Sequence, residues 1–341
     1  MTEVVERPGD DWWHGLMPAL VTPFDARGEI DAEGLRRHVG RVAGVQGVVA
    51  VVALGHAGEI LALSRQERRT VTELVRAVAP SHVKVVAGIE GATGVDLGRG
   101  AEEAMHAGAD AVLVLPPFDR RPFRHLAKVP AVVTATFETI YKQSGAPMIV
   151  FQYPDASGCS YSVDALDALA DLAGVVAVKA ATGNVGQFAQ LYRQLRARVG
   201  VLAAGDSPAL LGMMLSGCDG VLAGISTIGT EVWAQVLADV WEHREAAAVR
   251  TFFERCAPLT SSIYEDQLHL SEVSTFAATK EALFQLGEID SPWSRPPSVM
   301  PGEERRAKIA SALRAANLVA NRVSEFNAEE ALLGVGSRPR S

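Results

Sequence analysis

Eight short apolar runs rich in valine and alanine, each closed by glycine or proline and followed by a stretch of helical periodicity, constrain the fold of this chain more than any other feature. The runs lie at 15–21, 47–53, 83–88, 110–115, 148–152, 175–179, 199–203 and 220–224. Helical patterns follow them at 31–43, 64–79, 94–107, 122–143, 162–172, 185–196, 207–216 and 230–243. Two helix starts carry capping chemistry: Asp31 precedes the first, and Ser64-Arg65-Gln66-Glu67 opens the second as a capping box. Strands that are apolar throughout are covered on both faces. Eight right-handed crossovers close into a barrel more readily than they spread into an open sheet. The expected class is therefore α/β, a (β/α)8 TIM barrel with extra C-terminal helices. The barrel is expected over residues 12–243. Further helical patterns at 246–263, 273–286 and 301–323 predict a C-terminal helical extension, 244–323, packed on the barrel. Residues 324–341 read as a tail, polar towards its end.

Composition narrows the function classes. A length of 341 residues with 48 % hydrophobic and 21 % charged residues suits one large core. A net charge of -8 argues against non-specific binding to nucleic acid, which needs a clustered basic surface. The three cysteines, Cys159, Cys218 and Cys256, are far apart and form no CxxC pair, so neither a disulfide framework nor a zinc site is expected. No apolar run reaches membrane-spanning length and no basic leader precedes an apolar segment, so a cytoplasmic protein without membrane attachment is expected.

In barrels of this kind chemistry sits at the carboxyl ends of the strands. Lys179 ends the sixth run, Val175-Val176-Ala177-Val178-Lys179, where its stem is buried. Burial disfavours the ammonium form, and a free amine attacks the carbonyl of a 2-oxo acid. Only six of the 32 cationic residues are lysines, and arginine forms no imine under these conditions. A snorkelling lysine at a strand end is the plain alternative. After the second run comes Gly55-His56-Ala57-Gly58-Glu59, whose glycines let backbone amides approach a carboxylate, or simply make a tight turn. The fifth run leads through Phe151-Gln152-Tyr153-Pro154, with Phe151 and Tyr153 on one face. The eighth leads through Leu222, Ala223 and Gly224, where glycine again permits close approach. No glycine-rich pair of loops beyond Gly205 and Gly224 supports a phosphate-binding barrel.

With these motifs in order, the chain resembles the dihydrodipicolinate synthase and N-acetylneuraminate lyase family of pyruvate-type class I aldolases and hydro-lyases over residues 12–300. The resemblance rests on Gly15-Leu16-Met17-Pro18-Ala19-Leu20-Val21-Thr22-Pro23-Phe24, the GxxGE loop, Pro116-Pro117-Phe118, the strand ending at Lys179, Ala204-Gly205-Asp206, Gly217-Cys218-Asp219-Gly220, Lys280-Glu281-Ala282-Leu283 and Arg295-Pro296-Pro297. It implies a Schiff base between Lys179 and a small-molecule 2-oxo acid, no metal and no organic cofactor, and a homo-oligomer, tetramer or dimer.

The departures are informative. The family loop reads GTTGE, with threonines that bind the carboxylate and relay protons; here His56 and Ala57 stand in their places. The family's acid/base tyrosine aligns with Phe151, the tyrosine lent to a neighbouring subunit with Asp119, and the arginine that holds the second substrate of the synthases with Ala156. These losses argue against a true dihydrodipicolinate synthase. The expected catalytic set is Lys179 with Tyr153 or His56 as the proton-transfer group, and the expected substrate contacts are Gly55, Ala57, Gly58, Phe151, Leu222, Ala223 and Gly224. His56 as a turn residue and Tyr153 as mouth packing are the structural alternatives. A catalytically lapsed barrel that binds a ligand or serves as a scaffold is the alternative of a different class.

Overall fold

Valine and alanine on both sides of the pleat bury each strand twice over. In the computed structural model, which describes residues 12–117, 126–263 and 275–318, the eight runs form one parallel sheet. Its strands are β1 (Leu16–Pro18), β2 (Ala50–Ala53), β3 (Lys84–Ile89), β4 (Ala111–Val114), β5 (Met148–Gln152), β6 (Val175–Ala180), β7 (Gly200–Ala203) and β8 (Gly220–Ala223). Their order is β1-β8-β7-β6-β5-β4-β3-β2. Bridges Leu16↔Val48 and Ala19↔Val52 join β1 to the β2 side and complete the barrel. The first strand is shorter than its apolar run. Pro18 has no N–H to continue the ladder, and beyond it only the single bridge at Ala19 remains.

The helices that follow the strands are α1 (Ala32–Ala43), α2 (Arg65–Val78), α3 (Gly94–His106), α4 (Pro130–Ser144), α5 (Val163–Ala170), α6 (Val185–Leu195), α7 (Ala209–Leu215) and α8 (Thr230–Trp241). Both expected caps form. Asp31 accepts from the Gly34 amide, and Ser64 and Glu67 make the reciprocal capping box. The helix α4 opens at Pro130, whose fixed φ suits a first helical position. Residues 118–125, with Phe118 and Asp119, lie outside the described residues, as does the expected tail.

Beyond the barrel come α9 (Glu245–Thr251), α10 (Ala257–Ile263), α11 (Thr275–Gln285) and α12 (Glu303–Ala315). The periodicity at 246–263 predicts one helix, but α9 and α10 are joined by a π turn, Phe252–Cys256. Pro258 lacks the N–H an α-helix would use there, and the wider turn absorbs the mismatch. Among the described residues no helix is long and apolar enough to cross a membrane.

Positive charge on the outer surface is carried mainly by arginine, in pairs such as Arg36–Glu33, Arg69–Glu73 and Arg198–Asp171. Exposed pairs of this kind contribute only about 0–1 kcal/mol each. The barrel is held instead by the apolar layers between sheet and helices, where Phe137, Phe188 and Trp233 are almost fully buried.

Candidate active site

A register shift in the β5–β6 ladder places Lys179. Met148 pairs with Val175 but Ile149 pairs with Ala177, so one residue of β6 is skipped and Phe151 comes to lie opposite Lys179. Lys179 in turn pairs with Leu202, and Leu202 with Gly220. Paired residues of a parallel sheet share a face, so Phe151, Lys179 and Leu202 all look into the barrel. Lys179 is 9 % exposed, and its Nζ stands 3.8 Å from the centre of the Phe151 ring. Burial lowers its pKa to about 8, against the opposing pull of the Asp206 carboxylate.

Across the mouth, the loop after β2 turns through two left-handed residues that are not glycine, Leu54 (φ 59°) and Glu59 (φ 54°). Close backbone packing accommodates the first: a Cβ on Gly88 would lie 1.9 Å from the Leu54 carbonyl oxygen, so only glycine fits opposite it. Thr22 after β1 donates to the Gly58 carbonyl at 2.8 Å. Within the loop the Gly58 amide donates to Gly55 O and the Glu59 amide to His56 O, turns that leave the amides of His56 and Ala57 without a partner among the described residues.

The loop carries His56 onto the aromatic pair of β5. Its ring stacks on Tyr153 with centroids 5.2 Å apart, and it lies 5.5 Å from the Phe151 ring. The Tyr153 hydroxyl and His56 Nε2 are hydrogen-bonded at 2.5 Å. Dehydration of the packed face of His56, and then the Lys179 charge, lower its pKa, although part of its surface stays open to solvent. Burial raises the pKa of Tyr153, with the nearby Cys159 and Tyr161 adding to the effect. In the tautomer with its proton on Nδ1, His56 accepts at Nε2 from the Tyr153 hydroxyl.

Leu222 and Ala223 are consecutive in β8 and face opposite ways. Leu222 shares the face of Gly220 and Lys179. Ala223 points away, and its carbonyl accepts from Ala19 N and Ser226 Oγ. Of the two expected substrate-binding residues of β8, Leu222 thus takes the Lys179 face and Ala223 the other. Gly224 opens the 3-10 turn Ile225–Thr227 just past the strand. Asp206, after β7, was not among the expected site residues. It accepts from the Ile225 amide at 2.9 Å and is the acidic group that acts on Lys179. Its signal in the sequence was its place just past a strand end, within Ala204-Gly205-Asp206.

A groove of about 160 Å³ opens beside Tyr153, lined by Asp155, Thr182, Gln187 and Gln190. A larger cavity of about 470 Å³ lies on the other side of the β2 loop, near α2 and α3, away from Lys179. Among the described residues no group of three or more His, Cys, Asp or Glu side chains could hold a metal ion.

Fold and site together define a class I lyase of the aldolase type, an enzyme built on a (β/α)8 barrel. The profile of the dihydrodipicolinate synthetase family matches residues 13–316. The chain belongs to that family. It is 30 % identical to the 4-hydroxy-tetrahydrodipicolinate synthase of Phenylobacterium zucineum, over 91 % of this chain and 99 % of that one. It is 27 % identical to the synthase of the same name from Methanothrix thermoacetophila, over 88 % of this chain and 96 % of that one. In structure it is similar to the dihydrodipicolinate synthase of Aquifex aeolicus, with a TM-score of 0.79 at 22 % identity, covering 91 % of this chain and 100 % of that one. It is equally similar to the chloride-inhibited synthase of Acinetobacter baumannii complexed with pyruvate, with a TM-score of 0.79 at 24 % identity, covering 90 % of this chain and 100 % of that one.

Proposed function

We propose that Lys179 forms an imine with a 2-oxo acid, pyruvate or a longer derivative, and that the enzyme then makes or breaks a carbon–carbon or carbon–oxygen bond. The observation that carries this reading is a sequestered lysine of lowered pKa packed on the same Phe151 ring as a hydrogen-bonded Tyr153–His56 pair. The free amine attacks C2, and the carbonyl oxygen takes up protons and departs as water. Tyr153 and His56 form a relay for those protons. The phenol oxygen receives a proton from the reacting centre while its own passes to His56 Nε2, and the reverse transfer protonates the leaving hydroxyl. Loss of a proton from C3 then gives the enamine. The amides of His56 and Ala57 hold the carboxylate, Gly55 and Gly58 shape the loop around it, and Phe151, Leu222 and Gly224 border the reacting carbon.

The pyruvate bound by the Acinetobacter enzyme supports the choice of carbonyl substrate. The second substrate of the synthases is not carried over, because Phe151 and Ala156 replace the tyrosine and arginine those enzymes use. The groove beside Tyr153 gives room for a substrate longer than pyruvate. The enzyme acts as a homo-oligomer of the cytoplasm in this reading.

Borohydride reduction with pyruvate and longer 2-oxo acids, followed by intact mass and peptide mapping, tests the proposal. A stable adduct on Lys179 is expected; folded protein that gives none with any acid would mark a barrel that binds without reacting. The trapping rate should rise with pH as Lys179 sheds its proton and level off above a pH of about 8. A rate unchanged across that value would rule out Lys179 as the titrating nucleophile. Tyr153→Phe should lower turnover by about 10²–10⁴-fold, the usual worth of positioned proton transfer. A near-normal rate in that variant would shift the role to His56 and water.

A further inference from the structure

We infer that the C-terminal extension is a positioning element of the active site: the buried Glu59–Lys280 pair, braced by Arg295, holds the Gly55–Gly58 loop in the shape that presents His56 and the carboxylate-binding amides. The inference rests on the reading of that loop as the carboxylate site.

Glu59 closes the loop in a left-handed conformation that a β-carbon disfavours, so the fold must supply contacts that keep it there. Its side chain is 1 % exposed and pairs with Lys280 of α11, which is 0 % exposed. Lys280 Nζ also donates to Trp293 O at 2.9 Å and stands 4.1 Å from the centre of the Phe24 ring. The second carboxylate oxygen of Glu59 accepts from the Arg295 amide at 3.1 Å. Both oxygens are therefore held by the extension, which fixes the carboxylate in orientation as well as in place.

Arg295 then ties down everything around the loop. Its guanidinium donates to Ala62 O at 2.9 Å, just past the loop, and to Gly28 O at 2.8 Å. It also pairs with Glu67 of the α2 capping box at 2.5 Å and holds that carboxyl down to about 2. The same guanidinium lies 4.5 Å from the Phe24 ring that Lys280 packs on. Apolar residues would fill this space at a lower desolvation penalty, so a charged pair here is understood best by the geometry it imposes. Lys280 is sealed from the mouth and touches no reacting atom, which makes it a positioning residue and not a second nucleophile.

The test compares pyruvate with acetone, a carbonyl compound without a carboxylate, in borohydride trapping of the intact chain. The variants are Lys280→Met and the double variant Glu59→Gln/Lys280→Met, which removes both charges and leaves no buried ion. In folded variants the half-saturating pyruvate concentration should rise about ten- to a hundredfold, as misplacement remote from the chemistry does, while trapping by acetone, which uses the same proton relay but has no carboxylate to seat, falls by a smaller factor. Unchanged pyruvate saturation, or equal loss for both carbonyls, would overturn the inference. If the double variant does not fold, Arg295→Met keeps the pair, loses the ties to Gly28 and Ala62, and carries the same expectation. Amide exchange gives an arm independent of imine chemistry. It should quicken at 55–59 but not in β6, and equal exchange in wild type and variant overturns the inference even if no 2-oxo acid reacts.

Discussion

Lys179→Arg should abolish adduct formation with every 2-oxo acid while the barrel stays folded. The guanidinium keeps a positive charge beside Asp206 and against the Phe151 ring, so the electrostatic setting of the site is preserved. It offers no free amine at any accessible pH, so the covalent step is lost outright, and turnover falls by orders of magnitude. Intact mass after borohydride treatment reads the adduct, and circular dichroism reads the fold. A retained adduct, mapped to another lysine such as Lys84 or Lys128, would remove Lys179 from the mechanism. Lys179→Met, which also drops the charge, serves as the companion variant. It should be equally inert towards 2-oxo acids.

Lys280→Met carries the largest expected effect on stability. It strands the Glu59 carboxylate in a site where its side chain is 1 % exposed, with the Arg295 amide as the remaining donor. Removing one member of a buried pair typically destabilises by about 3–5 kcal/mol, since the surviving charge stays dehydrated and unpaired. Adding Glu59→Gln removes that charge, and the double variant should regain most of the loss. Denaturant unfolding of wild type, single and double variants measures both steps. A single-variant loss below about 1 kcal/mol, the range of exposed pairs, would mean that water reaches the pair.

The sequence was most legible where one local signal decided the outcome. Valine-rich runs located all eight strands, and the two capping motifs located helix starts to the residue. Lys179 stood out because a lone amine in an apolar strand has few explanations, and family membership confirmed the expected class of enzyme. What escaped was set by pairing across the fold. The skipped residue in β6, which turns Phe151 and not Gln152 towards Lys179, depends on the register with β5 and has no mark in either strand alone. The opposite facing of Leu222 and Ala223 follows from alternation once that register is known. Glu59 and Lys280 are separated by 221 residues and each reads locally as a surface charge. Asp206 had a signal, its strand-end position, but no neighbour in sequence hinted that it would face the lysine. The π turn had one as well, in Pro258.

The preference for arginine over lysine has a chemical corollary for a protein proposed to handle reactive carbonyl compounds. The chain has 26 arginines but only six lysines, and two of those six are buried. Guanidinium groups keep the protein charged without presenting amines for stray condensation. A pool of 2-oxo acid therefore meets few adventitious targets, and the molecule tolerates its own reagent. The selectivity proposed for Lys179 is thus protected by what the rest of the surface lacks.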